Sequence, residues 1–126
     1  MKGFQDSNKN NQIIKKSNKP FVGNENLNLY NKALELQNKR DFVQAAKTYS
    51  ILFKKNFRSE EFFLNYAVVC QYLKDINSSI ILLREAIRIN SKNFIPFFKM
   101  GFILNNKGSF YEAYPFAKKA IELEPN

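Results

Sequence analysis

The side chains in this chain that could carry acid–base chemistry are a small set of carboxylates. Those nearest to one another in sequence are Glu60, Glu61, Glu112, Glu122 and Glu124, and the chain contains no histidine. Two carboxylates can divide the work of a general acid and a general base between them. Glu60 and Glu61, however, begin a predicted helix, where the helix dipole favours negative charge. A structural role is sufficient to explain this pair.

Other reactive groups are equally scarce. The sequence has one cysteine, no glycine-rich phosphate loop and no nucleophile elbow, so the patterns typical of zinc, nucleotide and acyl-transfer sites are missing. Cys70 has no partner for an intramolecular disulfide and lies on an apolar helical stripe, which predicts a core residue and not a reactive thiol. We therefore predict no catalytic residue, no metal site and no cofactor.

The elements that carry these residues repeat along the chain. Three stretches align at an offset of 34 residues, namely Asn26–Ser59, Glu60–Asn93 and Phe94–Asn126. Such a period is typical of stacked helical repeats. The eighth column is always small, with Ala33, Ala67 and Gly101, which lets two helices approach closely. The chain is therefore predicted to be all-α and to be built of repeats.

Each unit shows the pattern of two helices joined by a turn. In the second unit, apolar residues recur at helical spacing before and after the turn: Phe63, Tyr66, Ala67 and Cys70, then Ile76, Ile80, Leu83 and Ile87. Residues that favour helix N-caps precede five of the predicted helices: Asp41, Ser59, Asp75, Asn93 and Ser109. Gly108 suits a left-handed turn residue. Two helices per unit follow.

The third unit carries a likeness to a known family. Its large, small and turn residues occur in the order Phe97, Met100, Gly101, Leu104, Gly108, Phe110, Ala113, Ala120 and Pro125. This order resembles the tetratricopeptide repeat, a helix-turn-helix unit of about 34 residues. The resemblance implies a right-handed α-solenoid of three repeats that binds proteins. It leaves the ligand open, because the family pattern encodes packing.

Several features depart from the family pattern. Lys32 stands where a large apolar residue is expected and Ala117 where an aromatic residue is expected, and the first two units lack the turn glycine and the closing proline. Pro115 lies beyond the first turn of the last predicted helix. Because proline has no N–H, we expect it to remove one backbone hydrogen bond and to kink this helix.

Residues 1–25 differ from the repeats in composition. They are rich in Asn and Lys and show no sustained apolar periodicity, which predicts a disordered tail. The predicted organisation is therefore a tail at 1–25 and repeats at 26–59, 60–93 and 94–126. No apolar stretch is long enough for a signal peptide or a membrane span, which favours a cytoplasmic location.

The net charge of +9 lies mainly in the N-terminal half. Basic residues exceed acidic ones by three in residues 1–25 and by five in residues 26–59, whereas the other two units are nearly neutral. A nucleic-acid site would interleave aromatic residues with this basic surface for base stacking, and the outward positions offer no convincing set. Neither nucleic acid nor a membrane is favoured as a partner, although a basic adaptor for RNA or anionic membranes stays an alternative.

The resemblance also implies a ligand site, because members of this family usually bind on the concave face formed by the first helix of each unit. The predicted groove residues are Tyr30, Asn31, Leu34, Glu61, Leu64, Asn65, Val68, Tyr72, Ile95, Phe98, Lys99 and Phe102. They form an apolar and aromatic set with amide edges, and exposed apolar residues that recur along one face mark partner sites. An open alternative is that some of them pack within the array or are covered by the tail.

The last helix offers a second surface. Tyr114, Phe116 and Ile121 include apolar surface that a further repeat or a polar capping helix would normally cover. A homodimer through this face is therefore a further hypothesis.

The sequence as a whole predicts a non-catalytic protein-interaction scaffold whose groove binds a peptide or a helix. The alternative is an N-terminal segment of a larger transferase, of the glycosyl-, sulfo- or methyltransferase type, that presents protein substrates. An enzyme domain encoded directly after Asn126 would favour that alternative.

Overall fold

The computed structural model describes residues 22–125, with side chains from Glu25 onward. This part of the chain forms six helices and no strand: α1 Val22–Asn38, α2 Phe42–Lys54, α3 Glu60–Tyr72, α4 Ile76–Ile89, α5 Phe94–Asn106 and α6 Phe110–Leu123. The predicted all-α helical-repeat class is confirmed. Helix α1 begins four residues before the predicted start of the first repeat, and the rest of the predicted tail lies outside the described residues.

Side-chain caps determine where most of these helices begin. The side chains of Asp41, Ser59, Asp75 and Asn93 each accept a hydrogen bond from a backbone N–H in the first turn of the following helix, at 3.1 to 3.3 Å. These bonds satisfy donors that have no partner inside the helix. Ser109 also precedes a helix, as predicted, but its side chain makes no capping hydrogen bond.

The turns inside the three predicted repeats share one backbone conformation. Arg40, Lys74 and Gly108 stand in the same column and have φ values of 65°, 67° and 84°. The N–H of the residue that follows each of them bonds to a carbonyl five residues earlier, at 2.8 to 2.9 Å. This is the pattern of a helix end closed by a left-handed residue. The first two predicted repeats therefore form this turn without a glycine.

The chain divides into two compact units, of which the first ends at Phe57. In this unit α1 packs against α2. Tyr49 is fully buried, and its hydroxyl donates to Gln37 Oε1 at 2.6 Å. Burial, and to a smaller extent nearby Tyr30, raises the pKa of Tyr49 well above its usual range. The aromatic core of the unit thus contains a phenol whose polar end is satisfied within the unit.

The second unit extends from Arg58 and contains α3 to α6, each helix packing against the next. Its core includes the buried side chains of Phe62, Phe63, Leu83 and Met100. Where α3 meets α4, buried Ser79 donates its hydroxyl to the carbonyl of Ala67 at 3.1 Å. Ala67 belongs to the small column identified in the sequence, and it is buried where the two helices meet.

The contact between α5 and α6 depends on two small residues. A Cβ atom at Gly101 would lie 3.2 Å from the backbone nitrogen of Ala117 and 3.5 Å from its Cβ. The backbones therefore approach closely where Ala117 replaces the family's aromatic residue. Pro115 lies inside α6, which continues to Leu123, so the proline does not end the helix. The kink predicted at this proline stays a prediction.

Candidate functional site

Helix α5 carries an exposed apolar face formed by predicted groove residues. Ile95, Phe98 and Phe102 follow at helical spacing, and 39%, 59% and 51% of their respective surfaces are exposed. The opposite side of the helix is also apolar, and there Phe97, Met100, Ile103 and Leu104 are buried. One side of α5 thus supplies the core of the second unit, while the other presents large apolar side chains to solvent. We call Ile95, Phe98 and Phe102 the α5 face.

The predicted groove residues on α3 are less available. Tyr72 and Glu61 are exposed, whereas Leu64, Asn65 and Val68 are half-buried. Lys99, which lies beside the α5 face on the same helix, is also half-buried. The side chains of α3 therefore contribute partly to packing and partly to the surface, and Tyr72 is the large aromatic residue that α3 exposes.

The predicted groove residues of the first unit divide in the same way. The ring of Tyr30 is half-buried and packs near the rings of Tyr49 and Phe57, at centroid distances of 6.2 and 5.7 Å. Leu34 is half-buried and Asn31 is exposed. Tyr30 thus has a packing role inside its own unit, in line with the alternative that some of the predicted groove residues pack within the array.

The residues proposed for self-association also differ in their environments. Tyr114 and Ile121 are exposed on α6. Phe116 is half-buried, with its ring centroid 6.4 Å from that of Phe97, so it belongs to the packing of α5 against α6. Sequence reasoning missed the exposed Phe110 and Tyr111 at the start of α6. The spacing of four from Phe110 to Tyr114 is the signal that could have placed them together.

Glu60 and Cys70, two of the residues considered as candidates for chemistry, have structural roles in the described part of the chain. The carboxylate of Glu60 accepts hydrogen bonds from Asn90 Nδ2 at 3.2 Å and Asn93 Nδ2 at 2.5 Å. Cys70 is buried, and burial, with a smaller contribution from Asp75, raises its thiol pKa to about 12. A thiol with this pKa is protonated at neutral pH and is a poor nucleophile. No three His, Cys, Asp or Glu side chains within residues 22–125 are grouped so as to hold a metal ion.

Helical-repeat proteins that expose an apolar face often bind other proteins. The tetratricopeptide repeat model matches residues 60–93 and 97–126, which is just over half of the chain. The chain therefore belongs to the tetratricopeptide repeat family, whose repeats generally mediate protein–protein interactions. The two matches fall in the second and third predicted repeats, so the count of three repeats stays a prediction. No curated protein matches the chain.

No helix in the described part of the chain is both long enough and apolar enough to cross a membrane.

Proposed function

We propose that this chain is a non-catalytic protein-interaction scaffold and that the α5 face is its principal partner site. The observation that carries the proposal is the exposure of Ile95, Phe98 and Phe102 on a helix whose opposite side already fills the core. More than half of the surface of Phe98 and of Phe102 is not used in packing within the second unit. Apolar side chains that recur along one exposed face are typical of a partner site.

The energetics of association favour the same face. Burial of apolar surface contributes about 25 cal/mol per Å², and interface energy concentrates in a few well-buried aromatic anchors. Phe98 and Phe102 are two such anchors one helical turn apart. Asn105 and Asn106 are exposed at the end of the same helix and supply polar groups of the kind found at an interface rim.

The dimensions of the face suit a peptide or a helix. The seven-residue interval from Ile95 to Phe102 corresponds to about 10 Å along the helix axis. Two or three apolar side chains of an amphipathic helix or an extended segment span a similar distance. The proposed partner is therefore a short segment of another protein with closely spaced apolar residues.

A peptide-display selection on the full chain tests this proposal. Dodecapeptides selected from a random library are synthesised, and their affinities are measured by fluorescence anisotropy for the parent, Phe98→Ala and Phe102→Ala. We expect each substitution to weaken binding at least tenfold, because a buried aromatic anchor contributes roughly 2 kcal/mol or more. The melting midpoints should fall less than for a fully buried phenylalanine, because 59% of the surface of Phe98 and 51% of that of Phe102 is exposed.

Tyr111→Ala is the matched control, since Tyr111 is a 97% exposed aromatic residue outside the α5 face. This variant should bind the selected peptides as the parent does. Selected peptides that bind Phe98→Ala and Phe102→Ala as tightly as the parent would contradict the proposal. The hypothesis that the segment presents substrates to an attached transferase uses the same surface and would be favoured if the natural partner is a modified substrate.

A further inference from the structure

A cleft in the second unit lies directly beyond the α5 face. It has a volume of about 270 Å³ and is lined by Gln71, Lys74, Ile76, Ile103, Asn106 and Lys107. Asn106 follows Phe102 by one helical turn, so the cleft adjoins the C-terminal end of the α5 face. The volume is below the usual range for small-molecule sites, which begins at about 300 Å³. It is sufficient for one side chain of a bound segment.

The lining combines apolar side chains with lysine and amide side chains that can donate hydrogen bonds. Ile76 and Ile103 supply the apolar surface, and Gln71 and Asn106 supply side-chain amides. Within the described residues, Lys74 and Lys107 form neither an ion pair nor a side-chain hydrogen bond. The carboxylate of neighbouring Asp75 accepts from the Ser78 N–H at 3.2 Å, as the cap of α4. Two lysines that have no ion-pair partner among the described residues therefore line the cleft.

The lysine side chains are not needed to close the helices that precede them. Backbone N–H groups already bond to the carbonyls at the end of α3, from Lys74 to Gln71 and from Asp75 to Cys70. The equivalent bonds at the end of α5 run from Gly108 to Asn105 and from Ser109 to Leu104. A favourable interaction with the helix dipoles remains, but it does not account for two lysines and two amides around one cleft.

We infer that this cleft receives the carboxylate of an Asp or Glu residue in the segment that binds the α5 face. The inference rests on the proposed function and adds the chemistry and direction of the partner. Ammonium and amide N–H groups donate to a carboxylate, and charge-assisted hydrogen bonds of this kind are strong. The apolar anchors of the partner lie along α5, and its acidic residue lies at the C-terminal end of that helix.

The same display selection provides the test, because the selected dodecapeptides are the probes. The inference predicts an Asp or Glu near one end of the apolar residues in the selected set. For a synthetic peptide, replacing that residue with Asn or Gln should weaken binding to the parent chain about tenfold, as expected for loss of a charge-assisted hydrogen bond. Affinity for the acidic peptide should also fall as salt rises.

Two charge-matched double variants separate the cleft from a general effect of charge. Lys74→Gln with Lys107→Gln should weaken the acidic peptide about tenfold and leave its amide counterpart nearly unchanged. Lys118→Gln with Lys119→Gln removes the same charge from the exposed surface of α6 and should have little effect. Melting midpoints of both double variants check that the fold is intact.

The outcomes distinguish the two proposals. Some selected peptides could depend on Phe98 and Phe102 but bind equally well with an amide in place of the carboxylate. That result would support the α5 face as a partner site and contradict the inference about the cleft. An equal loss in both double variants would also overturn it. A selection that yields no peptide dependent on Phe98 would contradict the proposed function. It would also contradict the inference about the cleft, because that inference rests on the proposed function.

Discussion

The side chain of Glu60 connects the beginning of α3 to the turn between α4 and α5. Its two carboxylate oxygens accept from Asn90 Nδ2 at 3.2 Å and Asn93 Nδ2 at 2.5 Å. Asn93 also caps α5, since its Oδ1 accepts from the Ile95 N–H at 3.1 Å. The connection therefore joins the first and last residues of the second repeat and fixes the start of the helix that carries the α5 face. We predict that Glu60→Ala lowers the free energy of unfolding.

The size of the effect follows from the number and environment of these bonds. Hydrogen bonds to charged groups contribute about 1.5–3 kcal/mol each. The side chains involved are half-buried, so solvent screening reduces the contribution of each bond to about 1 kcal/mol. Loss of an acidic residue from the first turn of a helix adds about 0.3–1 kcal/mol. Glu60→Ala should therefore cost about 2–3 kcal/mol.

Glu61→Ala is the matched control, because Glu61 is an exposed acidic residue in the same helical turn. It should lose only the contribution from the helix dipole, about 0.3–1 kcal/mol. Urea denaturation followed by circular dichroism at pH 7 measures both variants. A double-mutant cycle between Glu60→Ala and Asn90→Ala should give a coupling of about 1 kcal/mol. Equal costs for the two glutamate variants, with a coupling below about 0.3 kcal/mol, would refute the reasoning.

Three further predictions concern the small column, the repeat turns and the buried thiol. Ala67→Leu should cost roughly 1–3 kcal/mol by overpacking, and an unchanged melting midpoint would show that the repeat register is wrong. Lys74→Gly should raise the urea midpoint, because glycine adopts a positive φ without strain. The free energy of unfolding should increase by about 0.5 kcal/mol after the added entropy of the unfolded chain is subtracted. Gly108→Ala should lower the urea midpoint for the opposite reason. Burial raises the Cys70 pKa from 9.0 to about 12, so the unfolded thiol ionises first and stability should fall as pH rises above 9, by at most about 1.4 kcal/mol per pH unit. Cys70→Ala should flatten this fall between pH 9 and 10, and an equally steep profile in that variant would contradict the assignment.

Much of the fold followed from the period of the sequence. The column at Phe42, Ile76 and Phe110 was predicted to begin the second helix of each unit, and α2, α4 and α6 begin at these residues. A repeat alignment detects what recurs, and caps and apolar spacing recur. It carries no information on a helical turn that precedes the first repeat, so the start of α1 at Val22 was not foreseen.

The candidate site was less predictable because exposure depends on neighbouring side chains as well as on spacing. The family columns placed Phe98 and Phe102 on one side of α5, and the structure leaves that side exposed. The same columns included Tyr30, whose ring packs against other aromatic rings in its own unit. They also gave no reason to separate half-buried Phe116 from exposed Tyr114. These differences arise from contacts between side chains, which cannot be predicted from the position of one residue in the repeat.

The residues that hold the helices together can be distinguished from the residues that packing leaves exposed. One departure inside the array has a packing explanation, because Ala117 accommodates the close approach at Gly101. More than half of the surface of Phe98 and of Phe102 is left exposed by this packing. Residues that define the family are used to hold the helices together, so partner recognition has to depend on side chains that packing leaves exposed. The α5 face and its neighbouring cleft present such side chains in the second unit, and substitutions of Phe98 or Phe102 should change binding more than they change stability.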